Sequence, residues 1–213
     1  MPPTARPRRR KRLLDLDAII EAALALVDEQ GRLTMSELAA RLGTSASSIY
    51  HHVNGRTEII ELIRDRISQH LDADFPDQGT WEQKLTHWVR ALHGSLISHP
   101  QLVPLLNAQS VTSLSVLRGY DRVAETLRDA GFPAAERMLW ISVLDELAIG
   151  SALDRLAPDE VWQTSDGQTP ALDEALASAP CGVARVDAAF ELGLEAVIVG
   201  MRARLASTSP RAT

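Results

Sequence analysis

Cysteine is nearly missing from this chain: Cys181 is the only one in 213 residues. That excludes an intrachain disulfide framework and any zinc site built on paired cysteines, and it points to a reducing cytoplasm. Aromatic residues are sparse at 4% and β-branched runs are few, which argues against a strand-rich fold. No stretch approaches the roughly 18 consecutive apolar residues of a membrane span. A secretory leader is not legible either, because the basic stretch from Arg6 to Arg12 runs into Leu13, Leu14, Asp15 and Leu16, with acid where an apolar segment belongs. What the chain does have is 45% hydrophobic residues, enough for a core without staples. Ala, Leu, Glu, Asp and Arg recur at helical spacing almost throughout, so the fold class is all-α.

The formal charge of −6 disfavours a nucleic-acid partner until it is divided by position. Of the 22 Lys and Arg, 11 lie in residues 1–66, against nine of the 28 Asp and Glu, so this segment carries +2 and the remainder −8. A basic head on an acidic body suggests that one end meets a polyanion and the other does something else.

Start and stop signals divide the head into short helices. Asp15 as N-cap, an apolar stripe through Ile19, Ile20, Ala23, Leu26 and Val27, and Gly31 as stop predict a helix over 16–30. Thr34 and Glu37 read as a capping box for a two-turn helix ended by Gly43. Ser45 caps a third helix expected to reach Val53, with Ile49 and Val53 turned inward, and a longer helix follows from Arg56. Two short helices joined by a tight glycine turn, behind a longer one, are the grammar of a helix-turn-helix. The second must be small and polar enough outside to enter a major groove about 12 Å wide. Ser45, Ala46, Ser47, Ser48, Tyr50, His51 and His52 supply hydroxyls, imidazoles and a methyl suited to bases or phosphates.

In the body, Thr80 and Gln83 form a second capping box, and helices are expected over 81–99, 113–130, 134–156 and 186–205, with a proline-bearing segment near 102–106. Residues 157–182 read as a long irregular connection holding at most one short helix over 171–177. His87, His93 and His99 lack metal-ligand spacing, and neither a phosphate loop nor a Ser-His-Asp order stands out, so no metal, cofactor or catalytic residue is assigned. The helices at 134–156 and 186–205 are apolar round more than one side and need a second partner to cover them.

The ordered run over residues 33–56, with its turn Leu42-Gly43 and the signature Tyr50-x-His52-Val53, closely resembles the helix-turn-helix of the tetracycline-repressor family. Ile19, Ala22, Ala23, Leu24, Leu26 and Gly31 extend the likeness upstream, and residues 189–202 resemble the family's last helix. The resemblance implies a one-component regulator, not an enzyme: a repressor that binds a double-stranded, near-palindromic operator as a homodimer and is released by a small-molecule effector. An activator or a ligand-independent DNA-binding protein of the same fold is the alternative. It implies phosphate contacts from Tyr50 and Arg56, and base-edge contacts from Ala46, Ser47, Ser48 and His51, joined by Thr34, Met35 and Ser36. Ser36 stands where some relatives carry a base-reading Arg, which leaves more to shape readout. It further implies a cavity lined from Trp88, Leu92, Asn107, Gln109, Tyr120, Trp140 and Trp162, and a dimer face including Ile149, Gly150, Phe190, Gly193, Leu194, Val197 and Met201. Arg8, Arg9, Arg10 and Lys11 form a cationic arm able to follow the backbone or enter the minor groove. The expected division is a basic arm at 1–14, a DNA-binding unit at 15–72, a sensing and dimerising body at 80–206 and a polar tail at 207–213.

Overall fold

The structure is a computed structural model that describes residues 15–164 and 168–208; the arm residues Arg8, Arg9, Arg10 and Lys11 lie outside them. Among the described residues the chain is helical with no strand. The head begins with α1 (Leu16–Gln30), capped by the Asp15 carboxylate, which accepts from the Ala18 amide at 2.8 Å, and closed by Gly31 at φ 65°. Next comes α2 (Met35–Leu42), entered at Thr34, whose hydroxyl oxygen accepts from the Glu37 amide at 3.3 Å. Only half of the expected capping box forms, because the Glu37 carboxylate takes the Thr34 hydroxyl proton and pairs with Arg32.

Gly43 at φ 63° turns the chain into α3 (Ala46–Tyr50), which ends sooner than expected. His51 and His52 form a turn, and Val53 still donates to the Ile49 carbonyl at 3.1 Å. The chain is drawn off by the next helix: the Asn54 amide donates to the Glu58 carboxylate, Gly55 sits at φ 129°, and α4 (Arg56–Ala73) begins. Ile19, Ala23 and Val27 of α1, Leu38 of α2, Ile49 of α3 and Ile59, Ile60 and Ile63 of α4 make one buried cluster. Truncating a side chain as enclosed as Ile49 to alanine costs about 2–5 kcal/mol.

The body holds α5 (Trp81–Ser98), a 3₁₀ turn (Pro100–Leu102), α6 (Val103–Asn107), α7 (Leu114–Asp129), α8 (Ala134–Asp154), α9 (Pro170–Ser178) and α10 (Gly182–Thr208). The capping box at Thr80 and Gln83 is complete. Helix α10 overruns its expected span at both ends, so Ser207 and Thr208 are helical rather than part of a tail. Helix α8 packs against α5, α7 and α10, while α4 belongs to both halves, lying on α1 at one side and on α5 and α7 at the other. Head and body also meet where His99 Nδ1 lies 2.9 Å from the Asp28 carboxylate and where Arg66 pairs with Asp17. His93 is buried among α5, α8 and α10, its ring stacked 3.6 Å from that of Phe190 and its Nε2 2.9 Å from Ser151 Oγ.

The expected dimer face needs correcting. Phe190, Leu194 and Met201 are buried in the protomer's own core, and Ile149 and Val197 lean half-buried on it. A Cβ on Gly193 would meet Leu147 Cδ1 at 2.9 Å, so this glycine serves the approach of α10 to α8 within one chain. Of that set only Gly150 is exposed. The opposite side of both helices carries Leu139 (64% exposed), Val143, Leu153, Leu192 (69%) and Val199 (53%). Both sides of α10 repeat apolar residues at i, i+4 and i+7, so periodicity finds two stripes without saying which one turns inward.

Candidate nucleic-acid interface and interior cavity

The caps that build α2 and α3 also decide which polar groups are left for a partner. The Thr34 hydroxyl is engaged with Glu37, and Ser45 Oγ accepts from the Ser48 amide at 3.2 Å while lying 2.9 Å from Ser48 Oγ. Met35 and Ala46 lean on the core. Exposed on the outside are Ser36, Ser47, Tyr50, His51, His52 and Arg56. The Tyr50 ring is 53% exposed and passes over Gly55, where an added Cβ would lie 3.8 Å from its Cε1. Arg56 Nε donates to the Leu33 carbonyl at 3.0 Å, which fixes its guanidinium across the entrance to α2. Neighbouring acids are occupied by the protein itself. Glu29 takes both guanidinium nitrogens of Arg41 at 2.6 Å, which holds its carboxyl below the usual range, and the Thr34 hydroxyl with Arg32 does the same for Glu37. The result is a polar surface flanked by a phenol and a fixed cation, the equipment for a phosphate backbone on either side of a groove.

Inside the body, α4, α5, α6 and α7 enclose a cavity of about 40 Å³. Trp88, Leu92 and Tyr120 line it as expected positions, joined by Arg64, Ile67, Ser68 and Leu71 of α4. Trp88 and Tyr120 meet edge to face at 5.6 Å. Asn107 is exposed, Trp140 packs on Phe132 away from the cavity, and Trp162 lies half-exposed under Arg185. None of these three belongs to the lining. Gln109 is not a wall residue either, although its side-chain oxygen is buried without a hydrogen-bond partner.

The sequence pattern described as "Bacterial regulatory proteins, tetR family" matches residues 19–63, and that described as "Tetracyclin repressor-like, C-terminal domain" matches residues 75–205. The chain belongs to the tetracycline-repressor family. Its members are transcriptional regulators, and the helix-turn-helix of α2 and α3 is the family's DNA-binding element. The HTH-type transcriptional repressor DrrR1 of Streptomyces coeruleorubidus is 30% identical over 180 residues, spanning 79% of this chain and 66% of that protein. The class D tetracycline repressor of Escherichia coli is 25% identical over 204 residues, 90% of this chain and 91% of its own. Among solved structures, apo ActR from Streptomyces coelicolor superposes with a TM-score of 0.76 at 24% identity, over 93% of this chain and 99% of that one.

Set on the family's framework, three features in and behind the cavity wall escaped the sequence. Arg64 donates to the Leu106 carbonyl at 2.8 Å, which ties α4 to the end of α6. Glu61 accepts from the Thr112 and Ser113 amides at 2.7 and 2.9 Å, and Asp65 from the Ser113 hydroxyl at 2.7 Å, which ties α4 to the start of α7. Burial pushes the Glu61 carboxyl up, but these amides and Arg64 together bring it below the ordinary range. Third, Asp145 of α8 accepts from the Tyr120 hydroxyl at 3.0 Å. Burial lifts its carboxyl to about 6, against the pull of that hydroxyl and with Glu146 adding to the rise; burial and Asp145 likewise push the Tyr120 phenol up. A pair of acids inside the apolar run 141–149 was the available signal.

The sign of the Asp145 effect is checkable. Its folded carboxyl holds a proton to higher pH than the unfolded one, so its contribution is best below about pH 4 and is lost as pH rises through about 6. Asp145→Asn keeps an acceptor for Tyr120 and removes the ionisation. Its stability relative to the natural chain is expected to be about 1–3 kcal/mol more favourable at pH 7 than at pH 4, in paired denaturant titrations.

Proposed function

We propose that this chain is a repressor that binds a near-palindromic operator as a homodimer and lets go when a small molecule occupies its body. The observation that carries this reading is the exposed, small-sided polar surface of α3 flanked by Tyr50 and Arg56, within a unit that matches the family's DNA-binding pattern. A single short helix offers too few contacts for tight binding, and a two-fold pair presents two. The outer apolar faces of α8 and α10 suit that pairing, since exposed patches of this kind mark association surfaces.

Release follows from shared parts. Helix α4 begins at Arg56 beside the DNA-facing surface and ends as a cavity wall, so an effector that widens the cavity moves the helix on which the reading head is mounted. At about 40 Å³ the cavity holds a water or so. A drug-sized effector therefore favours an enlarged state, and its preference for that state over the DNA-binding one is the whole of the driving force. Two structural relatives are seen with small molecules, ActR with (S)-DNPA and a TetR variant from Acinetobacter baumannii with minocycline. The test is a gel shift with the DNA flanking this gene, repeated against a compound panel. A retarded band lost on adding a compound is expected; no retarded band with any flanking fragment would refute the reading.

The arm at residues 1–12 supplies salt-sensitive affinity with little sequence information. Its deletion is expected to weaken operator binding and to flatten the slope of log affinity against log salt, measured at three or more salt concentrations.

A further inference from the structure

Asp145 is an expensive residue without an evident structural return. It lies among apolar neighbours in α8, and one oxygen accepts from the Tyr120 hydroxyl at 3.0 Å. The other oxygen is buried with no protein partner. Among the described residues no Lys or Arg pairs with it, and the charge that bears on it is the like charge of Glu146. A carboxylate so placed forgoes hydration and receives half of the hydrogen bonding it needs. Its single partner, Tyr120, is a wall of the cavity and packs against Trp88, another wall residue. Trp88 is 2% exposed, and its indole N–H is likewise buried without a protein acceptor. Two unsatisfied groups of opposite hydrogen-bonding sense thus flank one tyrosine, the acceptor on α8 and the donor on α5.

Apart from the Ser68 hydroxyl, the rest of the wall is apolar where it is not already bonded. Leu71, Leu92, Leu96, Leu106 and Val116 contribute hydrocarbon. Arg64, the cation on the wall, is held by Glu61 and two backbone carbonyls. An anionic ligand would find that guanidinium engaged and the Asp145 carboxylate repelling it. A cation finds a carboxylate lacking one partner, in a body that carries −8 over residues 67–213.

Resting on the reading of the body as a sensor, we infer that the effector is an amphiphilic amine. Its protonated nitrogen donates to Asp145, its apolar body replaces the contacts between α5 and α7, and an acceptor on that body meets the Trp88 indole N–H. Tyr120, which bridges the carboxylate and the cavity, swings with its hydroxyl to admit the ligand. The amine converts Asp145 from a destabilising group into one half of an ion pair, and this gives the opened state its preference for the ligand.

The experiment uses the full chain without DNA, so that its outcome is independent of whether an operator is found. Binding of three matched probes, 1-naphthylmethylammonium, the neutral 1-naphthylmethanol and the anion 1-naphthoate, is measured by calorimetry at pH 7.5. The ammonium probe is expected to bind about tenfold or more tighter than the other two, in keeping with a charge-assisted hydrogen bond. Asp145→Asn, which removes the ionisation and keeps an acceptor for Tyr120, should bring all three probes within about twofold of each other, the size left once the charge term is gone. Glu146→Gln should keep the ammonium preference. Equal binding of the three probes by the natural chain, preference for the carboxylate, no measurable binding of the ammonium, or an ammonium preference that survives Asp145→Asn would each overturn the inference. A failed gel shift with intact amine selectivity would instead strike the operator reading and leave this one standing.

Discussion

Leu192→Glu is expected to turn the protein into monomers and to abolish operator binding while leaving the fold untouched. Leu192 is 69% exposed in the protomer, so its removal opens no cavity in the core. In the proposed two-fold dimer every substitution acts twice. Two leucines lose about 1.5–3 kcal/mol of burial each, and two carboxylates are brought together where water is excluded. The dimer should weaken by about 4 kcal/mol or more, a factor of roughly a thousand. Sedimentation velocity should show one species near 23.3 kDa rather than twice that mass. Circular dichroism should be unchanged. The matching substitution at Phe190, on the other side of α10, should unfold the body instead, because that ring is 3% exposed and stacked on His93. A dimer that survives Leu192→Glu would move the interface elsewhere.

The second large effect belongs to Tyr50 and Arg56. Replacing both by alanine is expected to lower operator affinity by about 2–4 kcal/mol, since a contact to a charged phosphate contributes about 1.5–3 kcal/mol and the two are not fully additive. Because Arg56 brings one formal charge, the salt slope should fall by about one, and the loss should be nearly the same for specific and unrelated DNA. Ser47→Ala should behave oppositely, with a smaller loss confined to the specific site. Thermal denaturation controls for folding: Tyr50 is half exposed, and Arg56 contributes a single bond to the Leu33 carbonyl. A double variant whose salt slope matches the natural protein's would remove Arg56 from the phosphate contacts.

How much of this the sequence could tell follows from which interactions are local. Asp15, Gly31, Gly43, Ser45 and Thr80 each act within a few residues of themselves, and the helix boundaries they mark are where the residues suggest. The second half of the Glu37 box is lost to the Thr34 hydroxyl and Arg32, which take its carboxylate, and α3 stops at Tyr50 ahead of the Asn54 amide that Glu58 captures at the start of α4. The orientation of α10 was illegible for a different reason: a second apolar stripe through Leu192 and Val199 also fits its surface, and the docking of α5 and α8 selects Phe190, Leu194 and Met201 for the inside. The outward exposure of Ser47, Tyr50, His51, His52 and Arg56 was legible in the helix pattern. What the residue types alone could not give is the division of labour among the hydroxyls, with Ser45 and Ser48 spent on the helix cap and Ser47 left outward. Asp145 announced itself only as a charge in an apolar run, and its missing second partner is a fact of three dimensions.

Under the proposed function, the position of α4 between the DNA-facing surface and the cavity sets the rules for redesigning this protein as a biosensor. Four of the twelve wall residues, Arg64, Ile67, Ser68 and Leu71, lie on α4. Changes there alter response and background together, since the same helix carries the head. The walls on α5 and α7, among them Trp88, Leu92, Val116 and Tyr120, are one helix removed from the DNA. Under the same proposal, libraries confined to those two helices are expected to exchange one inducer for another while operator binding without inducer is retained.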